Sequence, residues 1–264
     1  MTDTAGDVSV LCVVGIVRGV TQLHDVVYMV CQLSSTIWRF NATTHQRLTD
    51  IVVRGLRPLD IVACEQTSQV YVADYPECIW RVSSDGEDIK RWLPKSPSNT
   101  FRPRTLSVTS TRLLVTSLEA RQLIQFDAVG DELRRVQLPL YMKPLHAVES
   151  PTGTFIVSHY NVLLHKVSEV NTGGEVLRQF SGSHRLLLGV SPHVAVDSHG
   201  NILVADQINR RILLLDAQLT LGRVVVDADQ LNYKQPWRLC YKEQSGQLLV
   251  GLWEGEVAVF NVVC

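Results

Sequence analysis

The chain has 264 residues, 45% of them apolar and only 19% charged, and its 25 Lys and Arg against 26 Asp and Glu leave a net charge of -1. Such a balance gives no long-range pull on nucleic acid or on an anionic membrane, so contact with either needs a local patch. A chain of this length buries about three quarters of its unfolded surface and suits one all-β ring.

The first segment, Met1–Asp7, is polar and acidic, and the apolar run Val8–Val17 that follows is too short to cross a bilayer. A secretory signal starts with basic residues, whereas Asp3 and Asp7 stand here. The expectation is a cytoplasmic chain without a membrane segment, read with the reservation that it can be part of a larger protein. Cys12, Cys31, Cys64, Cys78, Cys240 and Cys264 include no C-x-x-C pair. They read as free thiols used as small hydrophobes, with Cys64–Cys78 as the disulfide to check first. Asn41-Ala-Thr43 is a glycosylation sequon that matters only in a secreted chain.

From Val27 onward the chain repeats. Short apolar runs recur at Val27–Val30, Val70–Asp74, Leu113–Thr116, Phe155–Ser158, Ile202–Asp206 and Leu248–Gly251. Their third members, Met29, Val72, Val115, Val157, Val204 and Val250, are spaced 43, 43, 42, 47 and 46 residues apart. A second run follows each: Ile37–Phe40, Ile79–Val82, Leu123–Phe126, Val162–Leu164, Ile212–Leu215 and Val257–Phe260. Pro58, Pro103, Pro144, Pro192 and Pro236 each lead into a further strand, a sensible place because proline can open a strand but not sit inside a paired one. A fourth, more polar strand often closes the unit, as at Glu132–Leu138.

Four short strands per unit of about 44 residues, without helical periodicity, define propeller blades. A two-sheet sandwich explains strands but not this period. The fold class is therefore all-β, a six-bladed β-propeller of four-stranded antiparallel blades, one domain over residues 1–264 with repeats at 8–55, 56–101, 102–142, 143–190, 191–234 and 235–264. The last repeat ends one strand short. Val8–Val17 can complete it or open the first blade.

Residues 192–216 resemble an NHL repeat, through Pro192, Asp197, Gly200, Val204, Asp206, Asn209, Arg211 and Ile212. Residues 58–82 match more loosely through Pro58, Val72-Ala-Asp74 and Ile79. Two other repeats carry Ser117 and His159 where the pattern has Asp, and the last has Leu252. The resemblance spans residues 20–262 and implies a six-bladed propeller, of the kind found in TRIM-NHL proteins, that binds protein or RNA. The RING, B-box and coiled-coil modules that often precede such propellers in ubiquitin ligases are not in this sequence. Asp206, Asn209 and Arg211 themselves read as turn-holding residues at a strand end. Trp38 and Trp80 read as blade-to-blade packing, and Trp253 as the exposed tryptophan.

Propeller enzymes hold metals on the axis with convergent carboxylates or imidazoles. Counted from the prolines, the second positions are Asp60, Thr105, His146, Val194 and Arg238, and the fifth are Ala63, Val108, Glu149, Asp197 and Tyr241. Neither row is a ligand set, and the same count sets His146 and His193 one register apart, facing opposite ways. No nucleophile triad, P-loop or dinucleotide fingerprint is present. The reading is a non-catalytic binding scaffold without cofactor or metal. RNA binding and a metal-dependent lactonase- or lyase-like enzyme are the alternatives. The partner-binding residues expected on the proline-led loops near the axis are Arg57, Arg102, Arg104, Lys143, His193, Trp237 and Arg238. They favour an acidic protein segment, with RNA second and the oligomeric state open.

Overall fold

Apolar runs of four to seven residues separated by tight polar turns are too short for helices and fold as hairpins. A computed structural model describes residues 9–13, 15–76, 78–93, 102–161, 164–180, 182, 188–189 and 192–262. It begins with strand β1 (Ser9–Cys12), and the first blade is β2 (Val17–Leu23), β3 (Val26–Cys31), β4 (Thr36–Asn41) and β5 (Ile51–Val52). The second blade is β6 (Pro58–Cys64), β7 (Gln69–Asp74), β8 (Cys78–Ser83) and β9 (Ile89–Leu93). The third is β10 (Thr105–Thr109), β11 (Arg112–Ser117), β12 (Gln122–Phe126) and β13 (Glu132–Gln137). The fourth is β14 (Lys143–Glu149), β15 (Phe155–Asn161), β16 (Leu164–Val170) and β17 (Val176–Phe180). The fifth is β18 (His193–Val196), β19 (Ile202–Asp206), β20 (Arg211–Leu215) and β21 (Leu221–Val226). The sixth holds β22 (Pro236–Lys242), β23 (Gln247–Leu252) and β24 (Glu256–Asn261).

Each of the six sheets is four-stranded and antiparallel, and in the sixth β1 lies outside β24, so the order is β1-β24-β23-β22. The N-terminal segment thus supplies the strand that the last repeat lacks, while β2 is the innermost strand of the first blade. First strands of consecutive blades contact one another all the way round, with β22 against β2 closing the ring. The third strand of the fourth blade falls at Leu164–Val170, and of the expected Val162–Leu164 the first two residues lie outside the described residues.

Every apolar cluster spans two adjacent blades. Tyr28, Val30 and Ile37 of the first blade pack on Val70, Val72 and Val82 of the second, and Leu11, Val257 and Val259 of the sixth pack on Val20, Val27 and Met29 of the first. Trp38 packs against that last cluster and Trp80 against the one before it. Blade faces that are apolar on both sides bury area only when stacked, so the ring is the smallest unit that hides them all.

The polar strand-end row is architectural. Asp206, fully buried, accepts hydrogen bonds from Gly189 N–H (2.7 Å), Asn209 Nδ2 (2.9 Å) and Arg211 Nε (2.8 Å). Asp74 accepts the N–H of Arg57, the residue before Pro58, at 2.6 Å, and Trp80 Nε1 at 2.9 Å. Ser117 Oγ takes the Arg102 N–H, again before a proline, at 3.1 Å. These side chains pin the loops that enter the second, third and fifth blades, where the prolines make no ladder bond of their own. Cys31, Cys64, Cys78 and Cys240 are free thiols, so no Cys64–Cys78 disulfide forms. Burial raises Cys31 to about 12 and Cys78 to about 11, which keeps both protonated. No helix of the described residues is long and apolar enough to cross a membrane.

Candidate functional site

The innermost strands carry the chemistry. Opposite Val30, Ala73, Thr116, Ser158, Ala205 and Gly251 of the second strands stand Gly19, Asp60, Thr105, His146, His193 and Arg238, one from each blade. The register shifts just before Gly19, Asp60, His146 and Arg238, whereas His193 enters its ladder directly after Pro192. A bulge adds one residue and flips the parity of everything counted from the proline. The expected opposition of His146 and His193 is therefore incorrect. Their rings stack at 3.6 Å between centroids with planes 20° apart, and His193, not Val194, belongs to the axial row.

This row stitches the ring together. Asp60 Oδ2 accepts Leu106 N–H at 2.9 Å, and Thr105 Oγ1 donates to Leu145 O at 2.9 Å. His146 Nδ1 accepts Val194 N–H at 3.4 Å, and its Nε2 lies 3.3 Å from Leu106 O. His193 Nδ1 accepts Leu239 N–H at 3.3 Å, and Arg238 Nε donates to Arg18 O at 2.5 Å. Gly19 has no side chain to offer, and a Cβ there would meet Ile61 N at 2.6 Å and Asp60 Oδ1 at 2.9 Å. Thr21 Oγ1 serves that interface by accepting Ala63 N–H at 3.1 Å.

Burial dominates the electrostatics. It raises Asp60 to about 6, against the opposing pull of Arg238 and two backbone N–H groups. It drives His146 down to about 3 and His193 well below its ordinary value, so both imidazoles are neutral. Arg238 falls to about 10 through burial, with Asp60 raising it and Arg18 and Arg104 lowering it. Burial also lowers Arg18, and the charge of Arg104 adds to that effect. Three guanidiniums from three blades thus share one neighbourhood, faced by Asp60, whose Oδ1 is 3.7 Å from Arg238 Nε.

The two ends of the axis differ. At the proline-led end a small cleft of about 20 Å³ lies between Arg104, Leu145, Pro192 and Trp237. At the other end a cavity of about 370 Å³ has Asp60, His146, His193 and Arg238 among its lining, aliphatic walls, and Glu149, Asp197 and Glu243 at the ends of the inner strands. Those carboxylates are engaged locally: Glu149 by Arg112 and Gln125, Asp197 by the N–H groups of His199 and Asn201, Glu243 by Ser198.

Of the residues expected to bind a partner, Arg57, Arg102 and Lys143 are exposed and Arg104 is half-buried. His193, Trp237 and Arg238 are buried at 6%, 8% and 7% exposure. Arg104, His193, Trp237 and Arg238 come together around the small cleft, and Arg57, Arg102 and Lys143 stand outside its lining. Trp253 covers Trp237 edge-on at 4.9 Å. Residue-by-residue reading missed Arg18 and the grouping of Asp60, His146 and His193, whose donor atoms all lie within 4.8 Å of one another. Counting back from Val157 and Val204 of the second strands sets His146 and His193 at the same offset, eleven residues, whereas Asp60 lies twelve before Val72 and joins them only through the strand pairing.

These features define the chain as a six-bladed β-propeller with a polar axis. No family model matches the chain, and no curated protein matches it significantly. Solved structures do. Hydrazine synthase of Kuenenia stuttgartiensis superposes with a TM-score of 0.67 at 14% identity, over 94% of this chain and 84% of that one. The Cps50 (Swd1) β-propeller domain of Myceliophteria thermophila gives 0.62 at 12% identity, with the same 94% and 84% coverage. A Bacteroides thetaiotaomicron protein of unknown function gives 0.74 at 14% identity, over 94% of this chain and 69% of its own. At such identities the likeness is one of fold.

Proposed function

We propose that the protein is a binding propeller of NHL-like type that takes an acidic protein segment on its proline-led face. The observation behind this reading is the convergence of Arg18, Arg104 and Arg238 opposite a single buried carboxylate, Asp60. Such a surplus of positive charge, one guanidinium buried and two half-buried, is relieved by an anionic group docked over it. The loops at that end support the reading, because they display Leu33, Tyr75, Leu140, Tyr141, Ile208, Tyr233 and Trp253 beside the exposed Arg57, Arg102 and Lys143. Among the described residues of the hairpin turns at the other end, Val129 is the one large exposed apolar side chain. Aromatic anchors mixed with arginine suit a protein interface. Leu33, Leu140 and Ile208 favour a protein over a single-stranded RNA, for which Tyr75, Tyr141, Tyr233 and Trp253 would serve as stacking platforms. The test is fluorescence anisotropy with a labelled glutamate-rich peptide containing one Trp, and with oligouridylate of equal length. The peptide should bind more tightly than the RNA. Arg57→Glu, Arg102→Glu, Arg104→Glu and Lys143→Glu combined should weaken it at least tenfold with an unchanged circular dichroism spectrum. Undiminished peptide binding by that variant overturns the reading, and tighter RNA binding replaces it with the RNA alternative.

A second reading rests on more specific chemistry. Two imidazoles and a carboxylate are a donor set for zinc or another divalent transition metal with an open position, and Asp60, His146 and His193 adjoin a cavity with room for a substrate. That supports a metal-dependent hydrolase or lyase. The fit needs rearrangement: rings stacked at 3.6 Å cannot both aim a lone pair at one ion, and Arg238 stands beside Asp60. One imidazole must turn and release its backbone bond. Calorimetric titration with Zn²⁺ decides it. Stoichiometric uptake that disappears in His146→Ala and His193→Ala supports the centre, and no uptake by the wild type removes it.

A further inference from the structure

We infer that the larger axial cavity, at the end away from the prolines, binds a small, mostly aliphatic, uncharged molecule that presents a carbonyl oxygen to the axial row. The inference is independent of the proline-led face. A cavity of about 370 Å³ falls within the size range of small-molecule sites. Val20, Ile61, Val62, Val108, Val148 and Val194 supply aliphatic wall, which fits a hydrocarbon body.

Two of the polar side chains that line it offer a hydrogen-bond donor without a protein partner among the described residues. His193 Nδ1 accepts Leu239 N–H, so the neutral ring carries its hydrogen on Nε2. That nitrogen has no partner among the described residues. Ser107, on the wall and 7% exposed, has a hydroxyl without any hydrogen-bond partner. Arg238 adds a guanidinium. The buried Ser107 hydroxyl, left unpaired, is costly to the empty protein, and a ligand that accepts hydrogen bonds from it and from His193 removes that cost.

Charge excludes the ionic choices. Of the charged axial groups that line this cavity, Arg238 already has Asp60 beside it at 3.7 Å. An anion would pass Glu149, Asp197 and Glu243 on its way in. A cation finds those carboxylates already held by Arg112, by the Asp197 turn and by Ser198. What remains is an uncharged acceptor on an apolar frame.

The experiment uses EDTA-treated full-length protein, so that it stands apart from the metal reading. Dissociation constants for cyclohexanone, methylcyclohexane, cyclohexanecarboxylate and cyclohexylamine are read by saturation-transfer NMR. Cyclohexanone should bind at least tenfold more tightly than the other three and shift the His193 Nε2 resonance. Ala195→Phe, which fills the cavity, should abolish binding, and Val148→Met carries the same test with a smaller intrusion if the first variant does not fold. Ser107→Val should weaken cyclohexanone about tenfold while leaving the thermal midpoint of the empty protein unchanged or higher. Equal affinity for the hydrocarbon, preference for the acid or amine, indifference to the filling substitutions, or no binding of the ketone would each overturn the inference.

Discussion

At the scale of single residues, polar side chains here divide by what they hold. Asp206 ties an entering loop, a turn amide and Arg211 while fully buried. Asp206→Ala should cost about 3–5 kcal/mol, because it leaves Arg211 without its carboxylate. Ser117→Ala, losing neutral bonds to Arg102 and Ala120 N–H, should cost about 1 kcal/mol. Urea denaturation of both variants checks the order, and a smaller loss for Asp206→Ala contradicts it. His159, in the same row, donates or accepts at Ser168 Oγ over 2.8 Å, and burial, then Lys166 and His165, lower it from 6.5 to about 4. The folded state therefore refuses a proton that the unfolded chain takes up below pH 6.5. Its contribution is complete above pH 6.5 and declines as the pH falls toward 4, by about 3 kcal/mol in all. The stability difference between wild type and His159→Gln, measured from pH 7.5 to 4.5, should shrink accordingly, and a flat difference refutes the assignment. The turn-holding role of Asp206, Asn209 and Arg211 was legible in the sequence because it is local. The axial grouping was not, because a bulge leaves no mark in a single sequence and shifts His146 relative to His193 by one.

At the scale of elements, β1 is the informative strand. The apolar character of Val8–Val17 marked a strand, but not which blade it would join. Pairing of Ser9 with Val259 and Leu11 with Val257 answers that, and Leu11 is buried against the sixth and first blades. Removing residues 1–12 takes β1 away and leaves β2 whole. It exposes the ladder edge of β24 and the apolar surface under Leu11. The loss should be about 4 kcal/mol, which at about 2 °C per kcal/mol for a chain of this size lowers the thermal midpoint by about 8 °C. Scanning calorimetry should show one transition displaced as a unit. An unchanged midpoint would mean that the strand is dispensable.

At the scale of the molecule, the period of the repeats gave the blade count, because equal spacing is a property of the whole chain and survives divergence of individual strands. The sidedness of the ring was legible only in part: the basic residues before the prolines were visible, whereas the axial cavity at the opposite end depends on how six innermost strands tilt around a centre. The seam between β1 and β24 has a consequence in time. Hairpins within a blade join neighbours in sequence and form fast, but Ser9 meets Val259 only after nearly the entire chain has been placed. Closure is then the last and slowest event of folding, and reopening at that seam is the first step on the way out. Amide hydrogens of β1 should exchange ahead of those in the centres of the blades, and their rate sets how long the ring stays shut.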